Sequence, residues 1–334
     1  MRIAVIGAGS IGCLVAAYLK EKGEDVSLVG HASSVRAIKE NGLSVSGVRG
    51  DFKTHISISE TLNCIPDLAI LATKTQDINS ALQESSSLLQ NSLILTVQNG
   101  IRSDELVARY LPKEKIISSI VMFGATKVES SRIVHNFEGS WILGSFFNPN
   151  PTQELLSLSL VLDKAFETVI TGDIKGMKYL KIFVNANNCL AAILGKSMQE
   201  VFSDLAVSRI SIAIWREAFR IVDNCAIKLL SLPGFPVENL TRLTSMPSEL
   251  AAQVFSEKMK NLSKEPLYGS VLQSIMRGRL SEIDYINGEF VNLAQENSIE
   301  APLNKLLVEM VHEVEKTNRF FSKEELIQKT KDFI

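Results

Sequence analysis

Cysteine and histidine are scarce in this chain, and neither is grouped. Cys13, Cys64, Cys189 and Cys225 form no CxxC pair, and His31, His55, His135 and His312 form no HxxxH or HExxH set. Neither a disulfide framework nor a metal site is indicated. No window is apolar enough for long enough to span a bilayer. The N-terminal apolar run is short, ends in glycines and lacks a cleavage-site pattern, so a cytoplasmic protein is expected. Excess charge is missing too: a formal net charge of -2 over 334 residues provides no basic surface for nucleic acid or anionic lipid. Repeats, low-complexity tracts and long linkers are absent. What remains is an ordinary globular composition, 46% hydrophobic and 22% charged, in a chain too long for one average core. Two domains are therefore expected.

The most informative stretch that is present is Met1–Gly12, MRIAVIGAGSIG. Arg2–Ile6 reads as a buried parallel strand and Ile11–Lys22 as a helix, with a second strand at Asp25–Val29. Gly7 allows a tight turn, Gly9 lets the backbone approach a pyrophosphate, and Gly12 lets the helix pack closely on the strand. The helix N-terminus adds N–H donors and the positive end of its dipole. This pattern predicts a dinucleotide-binding unit.

Strands and helices then alternate. Asp67–Thr73, Leu93–Val97 and Ile116–Ile120 read as strands, and Asp77–Leu89 and Ser103–Tyr110 as helices, which gives a doubly wound parallel sheet. Arg132–Phe137 and Trp141–Phe146 read as antiparallel additions at a sheet edge. Asn148–Pro151 is a turn, Leu155–Phe166 a helix and Thr168–Thr171 a last strand. From Ile174 onward helical periodicity takes over, with helices over Met177–Leu194, Asp204–Lys228, Ser248–Leu262, Tyr268–Glu296 in two pieces, and Pro302–Asn318. Leu232–Pro236 is a loop, and Ser322–Ile334 reads as a capped surface helix. The expected organisation is a mainly parallel α/β Rossmann domain over residues 1–172 and an all-α substrate domain over 173–334. Long amphipathic helices in the second domain fit pairing between two subunits as well as a buried face within one.

Two segments of the helical half carry candidate chemistry. Lys181 and Asn185 lie four residues apart, one turn along a helix face with mostly apolar neighbours. Partial desolvation there lowers an ammonium toward the range of a general acid, suited to a carbonyl that gains alkoxide charge as hydride arrives. A snorkelling lysine beside a surface asparagine fits the same pattern. In Gly269–Gly288 the helical spacing puts Glu282, Tyr285 and Ile286 on one face, so a carboxylate falls on a stripe expected to be buried, with Asp284 on another face. An exposed Glu282 fits the spacing equally.

The N-terminal GAGSIG, the Gln98-Asn99-Gly100 run after a strand, Lys181-x-x-x-Asn185 and Ser281–Gly288, SEIDYING, occur in an order that resembles the ketopantoate reductase family through nearly the whole chain. The resemblance implies NADPH-dependent reduction of 2-dehydropantoate to pantoate, with Lys181 protonating the carbonyl oxygen. It places Asn99 near nicotinamide, substrate and lysine. Asn185, Ser270 and Glu282 contact substrate by the same correspondence, and Gly7, Ala8, Gly9, Ser10, Ile11, Gly12, Lys74 and Ala125 line the cofactor.

Several positions depart from the family pattern. His31 stands in the cofactor-lining position where the family carries an arginine for the 2′-phosphate. No Asp or Glu ends the second strand, and Ser33, Ser34 and Arg36 follow, which favours NADP over NAD. Cys189 replaces a second substrate-side asparagine, whose part Asn188 is placed to take from nearly the same helix face. Ser274 replaces an aspartate, and a further family asparagine falls near Met198. Cys189 itself reads as a packing residue, with no histidine or acid near it in sequence. These changes bear on which 2-keto acid is bound. Two other readings share the scaffold: a D-2-hydroxyacid (mandelate-type) or opine-like dehydrogenase, and a non-catalytic nicotinamide-nucleotide sensor.

Overall fold

The computed structural model describes residues 1–148, 150, 152–261 and 265–334. The chain divides into two compact units, Met1–Lys175 and Gly176–Ile334.

The first unit runs β1 (Arg2–Ile6), α1 (Ser10–Glu21), β2 (Asp25–Val29), α2 (Ala32–Asn41), β3 (Leu43–Gly47), β4 (Phe52–Thr54), β5 (Ser57–Ser59), β6 (Leu68–Leu71), α3 (Ile78–Leu89), β7 (Leu93–Thr96), α4 (Ser103–Val107), β8 (Ile116–Val121), β9 (Gly124–Glu129), β10 (Arg132–Phe137), β11 (Trp141–Gly144), α5 (Gln153–Leu162) and β12 (Thr168–Ile170). The main sheet has the order β12-β11-β8-β7-β6-β1-β2-β5, parallel throughout except where β11 meets β8. Alternation along the central strands sends side chains to two cores. Ile3 and Val5 of β1 pack with Leu68 and Ile70 and with α1 on one face, while Ala69, Leu71 and Ile94 pack with Leu82 and Val107 on the other. A parallel sheet covered on both faces explains why these strands are continuously apolar in sequence.

The sequence expectation fails for Arg132–Phe137. β10 is not an edge of the main sheet but belongs to a second, four-stranded sheet of order β4-β3-β10-β9. There it runs antiparallel to β9 and parallel to β3. A short alternating strand fits any half-buried sheet, so its pattern did not say which one. Under this sheet Phe123 stacks on Phe166 at 4.1 Å, Tyr18 and Trp141 meet Phe166 edge-on, and Tyr18 Oη shares a 3.1 Å hydrogen bond with His135 Nδ1. Burial holds His135 below the ordinary imidazole range. The expected Asn148–Pro151 turn and the last residue of the expected Ser248–Leu262 helix lie in part outside the described residues, at Pro149, Pro151 and Leu262.

The second unit is helical: α6 (Ile174–Ala186), which starts two residues before the division, then α7 (Asn188–Leu194), α8 (Met198–Phe202), α9 (Leu205–Asn224), α10 (Val237–Ser245), α11 (Ser248–Lys260), α12 (Ser270–Met276), α13 (Asn287–Glu296), α14 (Pro302–Thr317) and α15 (Lys323–Thr330). The expected Met177–Leu194 helix is two helices with a break at Asn187. There the Trp215 indole N–H donates to the Phe183 carbonyl at 2.7 Å, supplying a donor where the ladder of α6 stops. Asn187 is buried, and its amide has no hydrogen-bond partner among the described residues. α15 carries a capping box between Ser322 and Glu325, as its sequence suggests.

No described helix is long and apolar enough to cross a membrane.

Candidate functional site

In the first unit the glycine loop is shaped by contacts that exclude a side chain at two of its three glycines. Gly7 has φ +118°, and a Cβ there would lie 2.6 Å from the Ala72 carbonyl carbon; at Gly12 it would lie 2.0 Å from the Gly7 oxygen. At Gly9 the nearest atom is 3.8 Å away, so the backbone is left open on that side. Gly9 is also the N-cap of α1, with no side-chain cap bond. A loop closed at Gly7 and Gly12 and open at Gly9 fits the pyrophosphate of a dinucleotide. Ala8, Ser10 and Ile11 complete this loop, Ala8 and Ile11 half-buried against the core below.

Beside the loop, the C-terminal ends of β6 and β7 are joined by side chains. Gln98 is buried and donates from Nε2 to the carbonyls of Leu71 at 2.7 Å and Thr73 at 3.1 Å, and the Thr75 hydroxyl donates to the Asn99 carbonyl at 3.2 Å. These bonds fix the segments that carry Lys74 and Asn99, both half-buried. The buried Asp104 carboxylate accepts from Thr96 at 2.7 Å and Ser118 at 2.8 Å, holding the start of α4 against β7 and β8. Thr73 Oγ1 and Gln98 Oε1 are buried without a hydrogen-bond partner among the described residues, at the strand ends where this kind of sheet takes ligands. Gln98 was legible only as part of a motif; its tying role depends on the neighbouring strand.

His31 lies exposed at the N-cap of α2 and makes no side-chain cap bond. Ala125 is half-buried on β9. Two residues on, Lys127 Nζ donates to the Ala8 carbonyl at 2.7 Å and to Ser34 Oγ at 2.9 Å. Sequence reasoning missed Lys127, whose partners lie 119 and 93 positions away.

In the second unit Lys181 and Asn185 sit one turn apart on α6, both half-buried, among buried Leu180, Ile182, Phe183 and Ala186. Loss of hydration pushes the Lys181 ammonium down from 10.5 to about 8. Asn188 follows the break at Asn187. It begins α7 and is buried. A Cβ on Gly269 would lie 3.0 Å from Asn188 Cγ, so glycine is what lets the start of α12 approach it. Ser270 is exposed in the first turn of α12, and the Ser274 hydroxyl donates back to the Ser270 carbonyl at 2.9 Å.

The Ser281–Gly288 motif does not form the continuous helix that its spacing suggests. Ile283–Tyr285 is a 3-10 turn closed by Tyr285 N–H to Glu282 O at 3.0 Å, and α13 starts only at Asn287. Glu282 is half-buried at the entry to that turn, and Asp284 faces outward, 3.1 Å from His312 Nε2. Ser281 N–H donates to Glu315 at 2.7 Å, and Asn287 Nδ2 donates to Asn304 Oδ1 at 3.0 Å. Glu217 of α9 in turn accepts from the backbone N–H groups of Leu303 and Asn304, capping α14 from outside. Half of the motif is therefore framework. Cys189 belongs to this framework: burial pushes its thiol up to about 12, with a hydrogen bond from Asn287 working in the opposite direction. Among the described residues, no three His, Cys, Asp or Glu side chains gather to hold a metal ion.

The sequence model described as "Ketopantoate reductase PanE/ApbA" matches residues 3–148, and the one described as its C-terminal part matches residues 173–315. The chain belongs to the ketopantoate reductase family. Its relatives include a 2-dehydropantoate 2-reductase of Pyrococcus horikoshii, 30% identical over 93% of this chain and 96% of the relative. Another, of Pyrococcus abyssi, is 28% identical over 92% and 95%. Among solved structures the fold is similar to D-mandelate dehydrogenase with NADH and anilino(oxo)acetate, with a TM-score of 0.80 and 24% identity over 95% of this chain and 99% of that one. It is also similar to a PanE/ApbA family ketopantoate reductase from Ralstonia eutropha JMP134, with a TM-score of 0.79 and 22% identity over the same shares. Membership makes this chain an oxidoreductase of the family, a nicotinamide-dependent reductase of keto acids.

Proposed function

We propose that this chain reduces 2-dehydropantoate to pantoate with NADPH, the first unit holding the cofactor and the second supplying the proton and the substrate contacts. The observation that carries the reading is Lys181, a half-buried amine brought down to about 8 on the helix that also presents Asn185.

The glycine loop, with Gly9 open and no side-chain cap bond at the start of α1, would hold the pyrophosphate. Lys74, Asn99 and Ala125 would line the remaining cofactor path, and His31 the adenosine end. When bound, the nicotinamide supplies hydride to the keto carbon. Lys181 holds the proton that the carbonyl oxygen must receive, and its lowered value places proton donation within the working pH range. Asn185, one turn along α6 from Lys181, would orient the lysine. Glu282, whose carboxylate side chain stands at a 3-10 turn braced by Ser281 and Asn287, would accept from a substrate hydroxyl, and Ser270 and Asn188 would complete the substrate contacts.

Steady-state assays with 2-dehydropantoate test the reading. Lys181→Met should lower kcat by about 10² to 10⁴ with little change in cofactor affinity. Glu282→Gln should raise KM for 2-dehydropantoate far more than for a 2-keto acid without the hydroxyl. Near-normal turnover in the Lys181 variant would overturn the acid role. Preference for an aromatic keto acid with NADH would move the chain to the mandelate type of activity.

A further inference from the structure

We infer that Lys127 is the side chain that reads the 2′-phosphate of the cofactor, taking over a task that the residue after β2 does not perform. The inference rests on the proposed use of NADPH.

In a Rossmann unit the adenosine ribose is recognised just past the second strand, by an acid for a free diol or a cation for a 2′-phosphate. Here Val29 is followed by Gly30, His31 and Ala32, with no acid, and His31 is exposed. The cation arrives from elsewhere. Lys127 of β9, in the smaller sheet, sets its Nζ 2.7 Å from the Ala8 carbonyl and 2.9 Å from Ser34 Oγ. Ala8 is in the loop after β1 and Ser34 in the first turn of α2, so the ammonium stands between the two segments that flank the adenosine ribose.

The strand geometry supports the same assignment. Side chains alternate along β9, which puts Ala125 and Lys127 on one face. Thr126 between them accepts a 2.9 Å bond from Asn136 on the neighbouring strand. Ser34 is buried at 6% exposure, and having accepted from Lys127 its hydroxyl retains a proton to donate to a phosphate oxygen. An ammonium suits a phosphate as a compact point charge. A lysine that only tethered the loop to α2 would serve NADH and NADPH equally, and that difference separates the two roles.

The test is ligand binding without turnover. Wild type, Lys127→Met and Lys127→Arg are titrated with NADPH, NADH, adenosine 2′,5′-bisphosphate and 5′-AMP by calorimetry, with thermal melting as a check on folding. The Met variant should lose about ten- to a hundredfold in affinity for NADPH and the bisphosphate, the scale of a charge-assisted hydrogen bond. NADH and 5′-AMP should change less than about twofold, and Arg should restore most of the loss. Equal loss for all four ligands would make Lys127 a loop tether and overturn the inference. Undiminished preference for 2′-phosphorylated ligands in a folded Met variant would overturn it while leaving the use of NADPH intact. A wild type with no such preference would overturn both.

Discussion

Gln98 and Leu71 are joined by a 2.7 Å hydrogen bond from Nε2 to the main-chain carbonyl, one strand end tied to the next by a buried side chain. The same nitrogen reaches the Thr73 carbonyl, so a single amide sets the spacing of the segments that carry Lys74 and Asn99. Gln98→Leu would leave two carbonyls short of a donor, at a cost of about 1–3 kcal/mol. The expected result is a lower melting temperature together with a higher KM for the cofactor. A fall in stability alone would limit Gln98 to the framework.

The pH profile should carry the signature of Lys181. Its folded value, about 8, lies below the ordinary lysine value of 10.5 because burial disfavours the charged form. As the acid in reduction it must be protonated, so kcat for the keto acid should be steady below pH 8 and fall about tenfold per unit above it. Oxidation of the hydroxy acid needs the neutral amine and should rise through the same value. For stability the sign is opposite to that of a paired lysine: between pH 8 and 10.5 the unfolded chain binds the extra proton, so this group makes folding more favourable as pH rises through that window.

Gly12 and Gly9, six and three residues past the last residue of β1, should separate folding from binding. Gly12→Ala places a methyl 2.0 Å from the Gly7 oxygen and must displace the helix or the loop, with a cost of about 1–3 kcal/mol or more. Gly9→Ala meets nothing nearer than 3.8 Å. That variant should melt near wild type yet bind cofactor far more weakly. Thermal melting and cofactor titration on the pair measure both effects.

Glu217 should matter for stability through the N-terminus of α14. It accepts backbone N–H groups of Leu303 at 3.0 Å and Asn304 at 2.8 Å and the Asn304 side chain at 2.9 Å. Glu217→Ala removes all three, with an expected loss of about 2 kcal/mol in denaturant unfolding, within the range for lost caps. Glu217→Gln should recover part of it, since its amide oxygen can still accept.

Much of the first unit is legible in sequence because its central strands are buried on both faces. Ile3–Ile6 and Leu68–Leu71 read as unbroken apolar runs, and the glycines of the loop between β1 and α1 announce themselves by spacing. The small sheet is not legible. β3, β4 and β9 are short and mix polar with apolar residues, and β10 fits an edge strand of either sheet. In the helical unit neither proline nor glycine marks the break at Asn187, which forms where Trp215 reaches across from α9. The Glu282–Ile286 spacing reads alike as α-helix or 3-10 turn, and the partners that decide between them, Glu315 and Asn304, come later in the chain. Lys181 and Asn185 needed only a helix, and both stand on one.

Cys13 and Cys189 are sealed in apolar surroundings, and burial carries their thiols up to about 11 and about 12. Cys64 and Cys225 are only half-covered, one in each compact unit. The unaltered chain thus offers one dye-attachment point per unit. A donor fluorophore on one and an acceptor on the other would follow the separation of the units while the enzyme works, without a single engineered residue.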